Sequence, residues 1–158
     1  MKYDLAIFDF DGTLADTYPW FCSIINGVAE EYQFRTIPSN QFDEFRSLGT
    51  RDILQRLEVP TRKLASIAAS VRALMASQID RIELFPGIAT ALVELRASGL
   101  HIGIVSSNSH DNIIHILGPE LSKVVERFEC GASLFGKARR IKQLLNHSNI
   151  PRERAIYI

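Results

Sequence analysis

The stretch Asp9-Phe10-Asp11-Gly12-Thr13-Leu14 follows a short apolar run, residues 3–8, that reads Tyr-Asp-Leu-Ala-Ile-Phe. The run is typical of a buried strand, and a glycine turn ends it. Side chains alternate along a strand, so Asp9 and Asp11 start on the same face. Two carboxylates at the end of a buried strand are costly unless a positive group sits between them. A divalent cation with a phosphate meets that demand, and so does a nucleophile paired with a general acid.

Two other interpretations of the acidic stretch fit less well. A surface turn with two acidic residues is disfavoured, because such turns rarely follow a strand this apolar. A calcium-binding loop needs further oxygen ligands at fixed spacing and a closing Glu, and Leu14-Ala15 interrupt that pattern.

The composition limits the class of protein. The chain has 158 residues, which suits one domain with one inserted subdomain. Lys and Arg number 18 and Asp and Glu number 18, so no net charge points to nucleic acid or an anionic membrane. No apolar stretch suits a spanning helix, and the N-terminus lacks the basic and apolar regions of a signal peptide. Cys22 and Cys130 have no CxxC spacing, so we expect buried free thiols and a cytoplasmic protein.

Residues 16–83 have a helical pattern without a strand candidate. Apolar residues recur at a spacing of three to four after Pro19, a residue that is tolerated in a first helical turn. Two shorter helices are predicted over Ser39–Leu48 and Thr50–Leu57. A longer helix follows Pro60, and its apolar stripe consists of Leu64, Ile67, Val71, Leu74, Met75 and Ile79. We expect this stripe to form a helix-packing core.

Strand and helix candidates alternate after residue 84. A helix over Ile88–Arg96 stops at Ser98-Gly99, and a strand over Leu100–Val105 follows. The later candidates are a helix near Asp111–Leu117, a strand around Val125–Cys130, a helix over Lys137–His147 and a strand over Arg154–Ile158. This order predicts an α/β fold with a Rossmann-like parallel sheet. In such sheets ligands bind at the carboxyl ends of the strands.

The acidic stretch at residues 9–14 resembles the first motif of the haloacid dehalogenase superfamily of phosphohydrolases, DxDGT followed by Leu or Val, and the match is complete. By this resemblance, residues 1–15 and 84–158 form the α/β core. Residues 16–83 form the small α-helical cap that many members carry after the first strand. The arrangement is most similar to the phosphoglycolate phosphatase and β-phosphoglucomutase branch. The resemblance implies hydrolysis of a small phosphomonoester, a phosphorylated metabolite similar to phosphoglycolate.

The resemblance also assigns roles to both carboxylates of the first motif. Asp9 would be the nucleophile that forms an aspartyl-phosphate. Asp11 would protonate the leaving oxygen and later activate water. Mg²⁺ would bind the carboxylate of Asp9 and the backbone carbonyl of Asp11. Gly12 and Thr13 would border the bound substrate.

The loop after the second core strand carries the next candidates. Ser106 matches the second motif of the superfamily, and its hydroxyl would hold a phosphoryl oxygen together with a nearby backbone N–H. Ser107 and Asn108 would add their backbone to this cradle. Taken alone, a Ser-Ser-Asn-Ser loop is also typical of a turn and a helix cap.

Lys137 matches the third motif, a Lys at the start of the helix after the third strand. It would neutralise the nucleophile and the phosphate and hold them together against their mutual repulsion. Arg139, Arg140 and Lys142 belong to the same predicted helix. The alternative interpretation is therefore a solvated basic helix face that has no role in chemistry.

Substrate choice is expected from the cap. The loop Leu48–Arg51 resembles a cap loop that faces the active site in related phosphatases. Thr50 and Arg51 would then contact the substrate, with Arg51 meeting a carboxylate. The alternative is that Thr50 caps the next helix and Arg51 is solvated.

The fourth motif of the superfamily, an acidic pair after the fourth strand, has no match before Ile158. We therefore expect weakened Mg²⁺ binding, and we favour a fragment or truncated product over a degenerate relative. An unfinished sheet edge would promote self-association or low stability. Two alternative functions stay open: a non-catalytic or truncated phosphate-binding module, and a phosphomutase of the same superfamily.

Overall fold

The computed structural model describes residues 2–131 and 136–158. The chain divides into two compact units. The core unit consists of Met1–Asp16 and Ile79–Ile158, and the helical unit consists of Thr17–Gln78. Residues 79–83, which the sequence pattern assigned to the helical insertion, lie in the core unit, where Ile79 and Ile82 are buried.

Parallel strands form the centre of the core unit. They are β1 (Leu5–Phe8), β2 (His101–Val105), β3 (Arg127–Glu129) and β4 (Ala155–Tyr157). The sheet has the order β3-β2-β1-β4, and each described pair of neighbours is parallel. All residues of β1 are apolar and buried, as expected for a strand with neighbours on both sides and covered faces. The predicted α/β class with a Rossmann-like parallel sheet is confirmed.

The described helices are α1 (Tyr18–Tyr32), α2 (Phe42–Arg46), α3 (Thr50–Arg56), α4 (Leu64–Ser77), α5 (Ile88–Ala97), α6 (His110–Val124) and α7 (Lys137–Ser148). Helix α6 consists of two helical segments that meet at a kink, and the first segment ends after Leu117, where the sequence pattern placed the end of the helix. Gly118 adopts a φ of 71° at the kink, and Pro119 follows it inside the helix. Within residues 2–131 and 136–158, no helix is long and apolar enough to cross a membrane.

The last strands are shorter than the sequence pattern predicted. Both β3 and β4 contain 3 residues. Before β4, Arg152–Arg154 form a 3-10 turn, and the guanidinium of Arg154 donates to the Asp4 carboxylate at 2.7 Å. This turn occupies the position where the pattern placed the start of the strand.

The helical unit has its own apolar cluster, formed by Ile25, Ile37, Phe45 and Leu57. The helix predicted over Ser39–Leu48 is instead a 3-10 turn, in which the amide of Gln41 bonds to the Pro38 carbonyl, followed by α2. Helix α2 ends at Arg46, since the amides of Ser47 and Leu48 bond to carbonyls three residues earlier. In the α4 stripe, Ile67, Met75 and Ile79 are buried, whereas Leu64, Val71 and Leu74 are half-buried. A unit this small exposes much of its surface, so it cannot cover a whole helical stripe.

Helix α7 packs closely on the sheet. Leu144 on α7 is 1% exposed and clusters with Leu5, Ile7 and Val105. A Cβ atom at Gly103 on β2 would lie 2.6 Å from the Cδ1 atom of Leu144. A side chain at residue 103 would therefore force Leu144 or α7 to shift.

We expect the substitution Gly103→Ala to lower the free energy of unfolding by about 1 to 3 kcal/mol, because the added methyl group overpacks the contact with Leu144. Thermal and urea unfolding measure the loss. The matched control is Gly27→Ala on α1, where an added Cβ meets nothing within 4 Å. That control should stabilise by about 0.5 to 1 kcal/mol. Equal effects of the two substitutions would contradict the packing argument.

Candidate active site

Asp9 lies at the carboxyl end of β1, the central position of the described sheet. Its amide donates to the carbonyl of Ile158 at 2.8 Å, which continues the pairing of β1 with the chain after β4. Its Oδ1 accepts the amide of Phe10 at 2.8 Å. The Asp9 side chain keeps 20% of its surface exposed. The Asp9 carboxylate thus lies at the end of the strand in a fixed orientation and is partly accessible to solvent.

A tight loop follows Asp9 and turns the chain at the end of β1. The carbonyl of Phe10 accepts amides from Thr13, Leu14 and Ala15 at 2.9 to 3.2 Å. Gly12 has a φ of 74°, in the left-handed region that favours glycine. Phe10 is fully buried, whereas Gly12 is exposed and Thr13 is half-buried. The loop therefore anchors itself through Phe10 and keeps Gly12 at the surface beside the two acids.

Asp11 is held by the loop after β2. The Ser106 hydroxyl donates to Asp11 Oδ2 at 3.2 Å, and the Asn108 amide group donates to Asp11 Oδ1 at 3.1 Å. Burial raises the pKa of Asp11 to about 6, the neighbouring charge of Asp9 adds to the rise, and the Ser106 and Asn108 hydrogen bonds oppose it. A carboxyl group with a pKa near neutrality can both donate and accept a proton.

The loop after β2 is itself fixed by backbone and side-chain contacts. The amide of fully buried Ser106 donates to the Glu129 carbonyl at 3.1 Å, and the amide of Asn108 donates to Ser106 Oγ at 3.0 Å. Ser109 caps α6, and its hydroxyl accepts the amide of Asn112 at 3.2 Å. Within the Ser-Ser-Asn-Ser sequence, Ser109 therefore caps a helix, whereas Ser106 lies against Asp11. Ser107 is half-buried in the same loop.

Lys137 is the first residue of α7, and its ammonium group pairs with Asp9 Oδ2. The pair is partly shielded, since the Lys137 side chain is 35% exposed. Tyr157, at the end of β4, lies close enough to Lys137 and Asp9 for both to affect its pKa. Burial raises the pKa of Tyr157, the charge of Asp9 raises it further, and Lys137 works in the opposite direction. The structure therefore brings together the four residues that the sequence proposed for catalysis: Asp9, Asp11, Ser106 and Lys137.

Sequence reasoning missed three residues at this site: Asn112, Glu129 and Tyr157. Asn112 is buried and donates to Asn108 Oδ1 at 3.0 Å, which orients the amide that meets Asp11. Glu129 is buried at the end of β3. The sequence offered one indication of Glu129 and Tyr157, which is their position at the ends of predicted strands. The carboxyl ends of parallel strands lie at the same edge of the sheet.

The carboxyl groups of Asp9 and Asp11 offer oxygen atoms as potential metal ligands. Oxygen is the ligand atom that Mg²⁺ prefers. Burial raises the pKa of Asp11, and repulsion from the charge of Asp9 raises it further. A divalent cation would relieve that repulsion, so the residues present fit such an ion. Within the described part of the chain, no group of three or more His, Cys, Asp and Glu side chains gathers to hold a metal.

Thr50 and Arg51 belong to the helical unit, where they begin α3 and are exposed. Gly49 occupies the cap position and no side chain caps the helix, so the alternative in which Thr50 is the cap is wrong. A cavity of about 670 Å³ lies in the helical unit, and Leu48 and Asp52 are among the residues that line it. These two residues flank the segment that contains Thr50 and Arg51.

Comparison with known proteins covers nearly the whole chain. The profile of the family described as haloacid dehalogenase-like hydrolase matches residues 6–158. A phosphoglycolate phosphatase from Synechococcus elongatus is 31% identical over 140 residues. The alignment covers 88% of this chain and 66% of that relative, so the chain spans about two thirds of the relative's length.

Solved structures share the fold. A Lactobacillus plantarum protein assigned by prediction as a phosphoglycolate phosphatase has a TM-score of 0.81 at 22% identity, over 99% of this chain and 77% of its own. CbbY from Rhodobacter sphaeroides, solved in complex with phosphate, has a TM-score of 0.71 at 19% identity, over 98% of this chain and 76% of its own. The family match over residues 6–158 and the sequence relative agree with the motif at residues 9–14. This chain belongs to the haloacid dehalogenase-like hydrolase family.

Proposed function

We propose that this protein is a phosphatase that hydrolyses a small phosphomonoester through an aspartyl-phosphate on Asp9. The observation that carries the proposal is the constellation at the carboxyl edge of the sheet. Asp9 is paired with Lys137, and Asp11 lies beside it with a pKa raised to about 6. A nucleophile, a cation and a group able to transfer protons are the parts that this reaction requires.

In the first step, a carboxylate oxygen of Asp9 attacks phosphorus and the bond from phosphorus to the ester oxygen breaks. Asp11, in its protonated form, gives its proton to the departing alkoxide. Lys137 holds Asp9 and the phosphoryl group together against their repulsion. The Ser106 hydroxyl, which donates to Asp11 at 3.2 Å, turns to a phosphoryl oxygen when the substrate binds.

In the second step, water attacks the phosphorus of the aspartyl-phosphate. Asp11 takes a proton from that water, and the bond between Asp9 and phosphorus breaks. Inorganic phosphate leaves, and both acids return to their starting states. The hydrogen bond from the Asn108 side chain, which stays available when Ser106 turns to the phosphoryl group, keeps Asp11 in place for both proton transfers.

Enzymes of this family generally use a divalent metal, and we propose Mg²⁺ for this chain. Asp9 would hold it through its carboxylate and Asp11 through its backbone carbonyl. The bound ion supplies positive charge that offsets the charge of the phosphoryl group and the two acids.

The substrate is proposed to be a small phosphorylated acid similar to phosphoglycolate. This rests on the Synechococcus relative, a phosphoglycolate phosphatase. We further propose that the helical unit is a cap and that Thr50 and Arg51 contact the part of the substrate that does not react. The free thiols of Cys22 and Cys130 favour a reducing compartment such as the cytoplasm.

If Arg51 binds the substrate carboxylate, Arg51→Ala should lower kcat/KM for phosphoglycolate by about ten- to a hundredfold, the worth of one charge-assisted hydrogen bond. An aryl phosphate without a carboxylate should be hydrolysed at the unchanged rate. Arg62→Ala, another exposed arginine of the helical unit, is the matched control. Equal losses with both substrates would refute this role of Arg51.

The proposed activity is tested by phosphate release from an aryl phosphate with Mg²⁺ and with EDTA. The proposal expects release with the metal and loss of release with the chelator. A second candidate, a phosphate-binding module without turnover, is favoured by the lack of a third metal-binding acid among the described residues. Binding of inorganic phosphate without any release would support that second candidate and contradict the first.

A further inference from the structure

The start of α7 has an unfavourable distribution of charge. Lys137, Arg139 and Arg140 all lie in or next to its first turn, and that turn contains no acidic residue. The N-terminus of a helix carries partial positive charge, so cations there are destabilising. Gly136 at the cap position provides no side-chain hydrogen bond to the free amides. The first turn of α7 therefore depends on anions that come from other elements.

Two carboxylates of the sheet supply that charge. Asp9 at the end of β1 meets Lys137, and Glu129 at the end of β3 accepts from the Arg140 guanidinium at 3.1 Å. The Glu129 side chain is only 10% exposed, so its contact with Arg140 is poorly screened by water. Its other oxygen accepts from Arg127 Nε at 3.2 Å.

The backbone of Glu129 is fixed to the candidate site as well. Its carbonyl accepts the amide of Ser106 at 3.1 Å, so the end of β3 is in register with the loop that holds Asp11. Lys137 and Arg140 are three residues apart on one helix, which places them on neighbouring positions of the same face. The contact between Arg140 and Glu129 therefore restricts the position of Lys137 relative to Asp9.

We propose that Glu129 is a positioning residue, which anchors the first turn of α7 through Arg140 and so keeps Lys137 on Asp9. The inference rests on the proposed function only for the role of Lys137 in catalysis. The position of Lys137 can be measured without any turnover.

The test is the rate at which N-acetoxysuccinimide acylates each lysine, followed by peptide mass spectrometry. Contact with Asp9 shields the Lys137 amine, so loss of the anchor should raise its rate severalfold in Glu129→Gln and in Arg140→Gln. Lys142, exposed on the same helix, is the internal reference. Asp9→Asn removes the ion-pair partner of Lys137, so the Lys137 acylation rate in this variant is the upper limit expected for the others.

The matched control is Arg127→Gln, which removes the second ion pair of Glu129 and leaves the ion pair between Glu129 and Arg140 in place. Its Lys137 rate should equal that of the unchanged protein. An unchanged Lys137 rate in Glu129→Gln overturns the proposal. Equal rises at Lys137 and Lys142 also overturn it, because they indicate general loosening of α7. An unchanged Lys137 acylation rate in Asp9→Asn would contradict the premise that Asp9 shields Lys137, and the proposal would fail with it.

Kinetics provide the second readout. Glu129→Gln should lower kcat/KM for an aryl phosphate on the order of tenfold, as for other residues that orient a catalytic group. Glu129→Asp, which keeps the charge, should recover part of the loss. If the unchanged chain has no phosphatase activity, the proposed function fails, and the acylation result still decides whether Glu129 positions Lys137.

Discussion

The variant Asp9→Asn is expected to lose at least roughly a thousandfold in kcat with any phosphomonoester, because the amide cannot attack phosphorus and no other group replaces it. Asp9 ends the central strand and already meets the cation of Lys137. Phosphate release from an aryl phosphate in the presence of Mg²⁺ is the measurement. Inorganic phosphate should still bind, since Ser106 and Lys137 are unchanged.

Asp111→Asn is the matched control for this loss. Asp111 lies on α6 with a fully exposed side chain, so the same chemical change there should leave kcat unaltered. Circular dichroism of both variants checks that each is folded. Substantial turnover by folded Asp9→Asn would contradict the role of Asp9 and indicate a different nucleophile.

Asp11→Asn is expected to have two opposite effects. Turnover should fall by about a hundred- to ten-thousandfold, because the general acid and base is removed. The metal-free protein should nevertheless become more stable near pH 7.5, by about 1 to 3 kcal/mol. The gain arises because Asp11 is charged at that pH in a site where burial and the charge of Asp9 oppose ionisation.

The stability gain of Asp11→Asn depends on pH in a defined direction. The pKa of Asp11 rises from 3.8 to about 6 in the folded protein. At pH values well below 3.8 the acid is protonated in both the folded and the unfolded state, and its ionisation costs nothing. Between these two pKa values Asp11 is mostly ionised in the unfolded chain and mostly protonated in the folded protein. The free energy of unfolding of the unchanged protein therefore falls as pH rises through this window. The asparagine variant has no such loss.

Thermal unfolding in EDTA at pH 4 and at pH 7.5 measures this difference. The variant should have the clearly higher midpoint at pH 7.5, and the difference between the two midpoints should be much smaller at pH 4. A variant that is less stable at both pH values would contradict the environment assigned to Asp11. The Ser106 and Asn108 contacts would then contribute more to stability than relief of the crowded charge.

The sequence was sufficient for the parts of the site that are local. Asp9, Asp11 and Gly12 follow one buried strand without a break, so their chemistry could be read from adjacent residues. Ser106 was a candidate because it matches the second motif of the superfamily and follows the second strand, at the edge where parallel strands present their carboxyl ends. Membership of the haloacid dehalogenase-like family followed from the complete match at residues 9–14 and is confirmed.

Long-range partners were not predictable in this way. Glu129 meets Arg140 and Arg127, and nothing in the sequence around Glu129 signals a buried acid. The contact of Asn112 with Asn108 depends on how α6 starts. Tyr157 lies in the strand predicted over Arg154–Ile158, and the pattern of that strand indicated no contact with the site. Each of these contacts depends on how two helices or strands pack against each other, and this packing could not be predicted from a single sequence.

In the helical unit, periodicity predicted helices better than it predicted burial. The spacing of the α4 stripe is helical throughout, yet Leu64, Val71 and Leu74 are half-buried. Periodicity reports which face of a helix is apolar, whereas the neighbouring elements decide how much of that face is covered. The same limit applies to Gly103, whose importance arises only from its distance to Leu144.

The most direct test of the account is to trap the covalent intermediate. The protein is mixed with aryl phosphate and Mg²⁺, quenched in acid and treated with borohydride, which reduces an acyl phosphate to the alcohol. Peptide mass spectrometry then locates the reduced residue. The account predicts homoserine at residue 9 and unmodified Asp11, with no reduction in samples without substrate. Phosphate release with no reduced residue at position 9, or with reduction at position 11, would contradict it.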